Sequence, residues 1–143
     1  MKSDFQFMLE VIAAVVCGSD LPDADFDINW EKIYNVSRMH NIANIIGYAV
    51  MSEKYDMDVR LKQFFTKAVS DDIRLDVIQS QKSAELFERF NQEHIEYMPL
   101  KGLNTKKLYP SSDMRRMSDM DILIKEPQRE KISSVMEDLG YNF

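Results

Sequence analysis

The chain has 143 residues, enough for one domain with its own core, and 45% of them are hydrophobic, as expected of a globular protein. Its formal net charge of −6 argues against charge-driven binding to long nucleic acid, which wants a basic surface. A single cysteine, Cys17, excludes an internal disulfide and fits a reducing compartment.

Phe5, Met8, Leu9, Ile12, Val15 and Val16 recur at helical spacing and predict a first helix, capped by Ser3 and ended by Gly18. The apolar run from Val11 to Cys17 is too short to span a bilayer, and Asp4 and Glu10 interrupt the pattern of a signal peptide. The chain therefore reads as cytoplasmic with no membrane contact, and Cys17 reads as packing. Residues 19–28, with Pro22 and a series of aspartates, form a loop; it lacks the ligand spacing and central glycine of a calcium loop. Asn29 is placed to cap a second helix that turns Trp30, Ile33 and Tyr34 inward. Ile42, Ile45, Ile46, Ala49 and Val50 predict a third. From Leu61 to Phe90, with neither glycine nor proline, the apolar spacing gives one or two long helices, with a break near Asp71-Asp72 an option. His40 and His94 stand far apart without partners at ligand spacing and are not read as metal ligands.

The texture then changes. Ile95 to Leu100 reads as a strand, Gly102 to Leu108 as a brief helix, and Tyr109 to Asp113 as a loop. Asp119 to Ile124 reads as a second strand. Glu126-Pro127 opens a helix that buries Ile132, Val135, Met136 and Leu139 and closes at Gly140, and Tyr141 to Phe143 opens a third strand. In a strand, Asp119 and Asp121 point to one face, about 7 Å apart, where two carboxylates can share hard cations such as Mg²⁺. The Lys101-Gly102 turn offers backbone amides at a helix start, and Lys101, Arg115 and Arg116 suit phosphate oxygens.

Leu100-Lys101-Gly102, Leu108-Tyr109-Pro110, Arg115-Arg116 and Ser118-Asp119-Met120-Asp121-Ile122-Leu123-Ile124 together resemble a bacterial family of uncharacterised nucleotidyltransferases within the DNA polymerase β-like superfamily. Ile28 to Tyr34 and Arg38 to Ala43 are similar to the helical N-terminal half of such proteins. The resemblance implies an α+β fold: a helical bundle over residues 1–96, followed over 97–143 by an incomplete nucleotidyltransferase-like mixed sheet with flanking helices, the two forming one unit. It implies that Asp119 and Asp121 are catalytic and hold two Mg²⁺. Lys101 and Gly102 would hold the phosphates of a nucleoside triphosphate, with Arg115, Arg116 and Ser118 beside them. Leu103 stands where the superfamily has serine, so Asn104 or Thr105 would have to substitute. A third carboxylate is expected on the strand beginning at Tyr141, and no candidate stands there. The expectation is a piece of a longer protein or a short, inactive form.

Two classes of function follow. The first is transfer of a nucleoside monophosphate from a nucleoside triphosphate to an unidentified hydroxyl acceptor, with long nucleic acid disfavoured. The second is a non-catalytic interaction module. In either, the strand at Tyr141 would leave an exposed sheet edge open to self-association.

Overall fold

The structure, a computed structural model, describes residues 3–141. Four helices come first: α1 (Asp4–Cys17), α2 (Trp30–Met39), α3 (Ala43–Met51) and α4 (Val59–Gln92). They are followed by β1 (Tyr97–Pro99), the single-turn α5 (Gly102–Thr105), β2 (Ile122–Ile124) and α6 (Arg129–Asp138). The architecture is α+β with a helical N-terminal part. Among the described residues, no helix is long and apolar enough to cross a membrane.

The helix ends are set by the residues the sequence offers there. Ser3 Oγ accepts the Gln6 N–H and Asn29 Oδ1 accepts the Lys32 N–H, each satisfying a donor the helix cannot. Gly18, at φ 65°, closes α1 in the left-handed conformation. Asp58 caps α4 by accepting the Arg60 and Leu61 N–H groups.

Two hydrophobic clusters form, and α4 serves both. The first gathers α1, α2, α3 and the start of α4 around Phe7, which meets Phe26, Trp30 and Tyr55 edge-on at 5.5–5.9 Å. The second joins Leu86 and Phe90 of α4 to Ile95 and to Ile132 and Val135 of α6. Phe87 stacks on Tyr97 at 4.8 Å and fastens β1 to the same cluster. The 34 residues of α4 give it a length of about 51 Å, enough to reach from one cluster to the other. The sheet is a two-stranded antiparallel pair with Tyr97 opposite Ile124, Met98 opposite Leu123 and Pro99 opposite Ile122.

Several expectations are corrected. α4 does not break at Asp71-Asp72: Asp71 stays outside, paired with Lys67 at 2.7 Å, while Asp72 turns inward, so neither disturbs the backbone ladder. The inner face of α1 is Phe7, Met8, Val11 and Ala14; Phe5 and Leu9 are 44% and 62% exposed, and Phe5 covers the Lys32 ammonium instead. Cys17 is exposed rather than packed. β2 begins at Ile122, not Asp119, and β1 is confined to Tyr97–Pro99. The expected third strand falls largely on residues 142–143, outside the described residues.

Candidate active site

Although the ladder begins at Ile122, the alternation of faces begins three residues earlier. Asp119, Asp121 and Leu123 are exposed, whereas Met120, Ile122 and Ile124 pack toward the second cluster. Met120 is the anchor of this lead-in: its sulfur accepts the Ser83 hydroxyl of α4 at 3.4 Å. The Leu100 N–H donates to the Asp121 carbonyl at 2.9 Å, carrying the pairing one step beyond the strand. Two carboxylates therefore share the solvent face of an extended segment held from beneath.

The turn after β1 meets them. Lys101 has φ 38°, on the left-handed side that a non-glycine residue enters at a cost of about 1–3 kcal/mol. The bend leaves the Lys101 ammonium 3.2 Å from Asp121 Oδ2. Gly102 itself does not carry the unusual angle. A Cβ there would lie 2.5 Å from Met117 Sδ, so glycine lets the turn pack closely on the Met117 side chain, which would have to shift for any other residue. Asn104 Nδ2 donates to the Pro99 carbonyl at 2.8 Å, and Thr105 Oγ1 to the Lys101 carbonyl at 3.2 Å. The two residues expected to replace the missing serine thus brace the turn. α5 is only one turn long, so little macrodipole develops, but helix geometry leaves the Gly102 and Leu103 N–H groups without an intrahelical acceptor.

The remaining candidates separate. Ser118 Oγ donates to Asp119 Oδ1 at 3.3 Å, on the carboxylate face. Arg115 is exposed, its guanidinium 3.4 Å from the Arg116 carbonyl. Arg116 reaches the helical part of the chain: it lies 3.6 Å from Asp72 of α4 and 3.5 Å from Asn41 Oδ1 after α2. The structure brings Lys101 and Asp121 together, keeps Asp119 and Ser118 alongside, and commits Arg116 to α4.

The sequence model of a family described as uncharacterised nucleotidyltransferase matches residues 27–143. The chain belongs to that family. No curated protein matches the chain, and no solved structure does. The match takes in α2 through α6, and with them the Lys101-Gly102 turn and the Asp-x-Asp segment.

In this nucleotidyltransferase family member the loop between α5 and β2 is locked to the helices by a buried polar network that the sequence reading missed. Lys106, 6% exposed, donates to Asp76 Oδ1 at 2.5 Å and to Gln79 Oε1 at 3.2 Å. Ser112 donates to the other Asp76 oxygen. Asp113 is buried; it accepts the Tyr48 hydroxyl at 2.9 Å and the Ser111 hydroxyl, and its carbonyl accepts from Asn44 Nδ2 at 2.8 Å. Burial alone would raise the Asp76 carboxyl, but the Lys106 and Ser112 hydrogen bonds outweigh it and hold it below 3.8. Asp72 goes the other way: burial raises it, and the nearby Arg116 offsets only part of the shift. A signal was available. Asp72, Asp76, Gln79 and Ser83 recur at heptad spacing and mark a polar stripe on one face of α4.

Among the described residues no group of three or more His, Cys, Asp or Glu side chains is arranged to hold a metal. The candidate donors are Asp121, beside the turn, and Asp119, two residues before Asp121 on the exposed side. That set suits Mg²⁺, which is bound through one or two carboxylates together with substrate phosphates rather than in an all-protein cage.

Proposed function

We propose that this chain carries the metal- and phosphate-binding part of a nucleotidyltransferase that moves a nucleoside monophosphate from a nucleoside triphosphate to a hydroxyl acceptor, within the DNA polymerase β-like superfamily. The observation that supports it most is the 3.2 Å pairing of Lys101 with Asp121 at the strained bend, with Asp119 on the same exposed face. Phosphate-binding and metal-binding groups are thereby neighbours.

The acceptor oxygen forms a bond to the α-phosphorus as the bond from that phosphorus to the oxygen bridging to the β-phosphate breaks. Pyrophosphate departs, and the hydroxyl proton passes to solvent. Asp119 and Asp121 would hold two Mg²⁺, which would neutralise the triphosphate and make the hydroxyl more acidic. Asp121 would be a metal ligand in place of its present pairing with Lys101, which would leave the Lys101 ammonium for a phosphate oxygen. The Gly102 and Leu103 amides point to the same phosphates, and Ser118 orients Asp119 through the hydrogen bond it already makes. The Lys101 ammonium and the Arg115 guanidinium answer the charge that builds on the leaving pyrophosphate.

Titration calorimetry with nucleoside triphosphates, with and without Mg²⁺, tests the reading. Binding is expected to require Mg²⁺ and to disappear in Asp119→Asn and Asp121→Asn. Equal binding before and after these substitutions overturns it.

A further inference from the structure

A second charged site lies on the helical side of the molecule. A cavity of about 500 Å³ opens between α2 and α4, the size range of small-ligand sites. Arg38, Lys67, Arg74 and Arg116 line it, against the two carboxylates Asp71 and Asp72. The lining therefore carries a net charge of +2 on a chain whose net charge is −6. Lys67 is spent on Asp71 at 2.7 Å, and Arg116 leans on Asp72 at 3.6 Å. Arg38 and Arg74 have no ion-pair or hydrogen-bond partner among the described residues. Both are exposed to solvent beside the cavity, with their guanidinium donors open to a ligand.

Apart from Asn41, the rest of the lining is largely apolar. Tyr34 and Phe64 stack at 5.4 Å, and Ala68, Leu75 and Ile78 continue the surface along α4. A second cavity, of about 260 Å³, lies on the side of the candidate active site. Arg116 and Asn41 line both cavities, and the lining of the second runs past Tyr109 to Ser118, the residue before Asp119.

We propose that this cleft binds the acceptor, and that the acceptor is a small phosphate monoester with an apolar or ring-bearing organic part. A phosphate dianion neutralises the +2 lining, and guanidinium forks match its oxygens in pairs. Arg38 and Arg74 grip the phosphate, Arg116 swings between Asp72 and the ligand, and the Tyr34–Phe64 side holds the organic part. The acceptor's free hydroxyl is then directed toward the second cavity, whose lining ends at Ser118, the residue before Asp119. The assignment as acceptor rests on the nucleotidyl-transfer reading; the binding of a phosphate monoester in the cleft does not.

The experiment uses phenyl phosphate and inorganic phosphate as probes, titrated into the full chain by calorimetry without metal or nucleotide. Phenyl phosphate should bind more tightly than inorganic phosphate, because only it reaches the apolar surface. Arg38→Gln and Arg74→Gln should each weaken it about tenfold or more. Arg74→Lys should keep part of the affinity, which separates loss of charge from loss of fold. Lys125→Gln, which removes one charge elsewhere, and Asp121→Asn should leave it unchanged. No binding to the parent chain, equal affinity in the arginine variants, or equal affinity for the two probes overturns the proposal. Failure of Mg²⁺-dependent nucleotide binding, measured separately, removes the acceptor role and leaves the phosphate site standing.

Discussion

Lys106 and Asp76 form a 2.5 Å ion pair whose side chains are only 7% and 12% exposed, and it fastens the loop that carries the arginines and the Asp-x-Asp segment to the middle of α4. Removing one partner strands the other away from water. Lys106→Met is expected to cost about 3–5 kcal/mol in urea denaturation. Pairing it with Asp76→Leu should restore most of that loss, since two apolar groups leave no buried charge. A double variant as unstable as the single one would show that the loop is held by something else.

The ion pair at the bend behaves differently. Lys101 and Asp121 are both well exposed, so their attraction is screened and contributes little to stability. Lys101→Met should leave the urea midpoint unchanged. It should raise the affinity of the chain for Mg²⁺ alone, because lysine no longer competes for Asp121, and lower the affinity for Mg²⁺ with nucleoside triphosphate. Metal titrations with and without nucleotide read both signs.

Stability should respond to pH through two aspartates with opposite signs. The folded Asp76 lies below its ordinary value of 3.8, so its contribution is complete above 3.8 and is lost as pH falls through the folded value. Asp72 lies above 3.8 in the folded chain. Its charged form is a cost at neutral pH, and that cost is relieved as pH falls through the raised value toward 3.8. Against Asp72→Asn, which cannot titrate, the parent chain should gain relative stability over that descent. Urea denaturation of both chains across a pH series checks it; parallel curves would contradict the assignment.

Gly47 sits where α3 crosses α4. A Cβ there would fall 2.5 Å from Val69 Cγ2 and 2.8 Å from the Phe65 carbonyl oxygen, so the backbone itself must move. Gly47→Ala should destabilise the chain by about 1–3 kcal/mol. Gly102→Ala meets only the flexible Met117 side chain and should cost less. Thermal denaturation of the two variants should rank them in that order.

Met98 and Leu123 face each other on the outer side of the sheet, 52% and 54% exposed, and both strands present an edge. We propose that this surface self-associates. Sedimentation should show a concentration-dependent dimer, abolished by Leu123→Lys; a monomer throughout would count against it.

The helical part was legible because its signals are local. Ser3, Asn29 and Gly18 act where capping chemistry places them, and the apolar spacing locates α2, α3 and α4. The strands were legible in kind but not in length, because alternation of faces extends to Asp119 while hydrogen bonding starts at Ile122. The phase of α1 was read only in part: Met8, Ile12 and Val15 pack as expected, but Phe5 lies outside and Phe7 inside, because the two are equally apolar and only the position of Trp30 and Tyr55 decides between them. In the candidate site, the closeness of Lys101 to Asp121 follows from strand pairing. The partner of Arg116 does not, because Asp72 is 44 positions away in sequence.

The length of α4 has a consequence for how this protein can change over evolutionary time. Each residue added to a helix turns everything beyond it by about 100° and shifts it by about 1.5 Å. A one-residue insertion between Val69 and Leu86 would swing Leu86 and Phe90 off the sheet while Phe65 stayed seated, and the Lys101 turn would lose its bearing on the helical side of the molecule. Only additions near a whole number of turns preserve the alignment, so the spacing along this shaft should drift far less freely than the loops at either end.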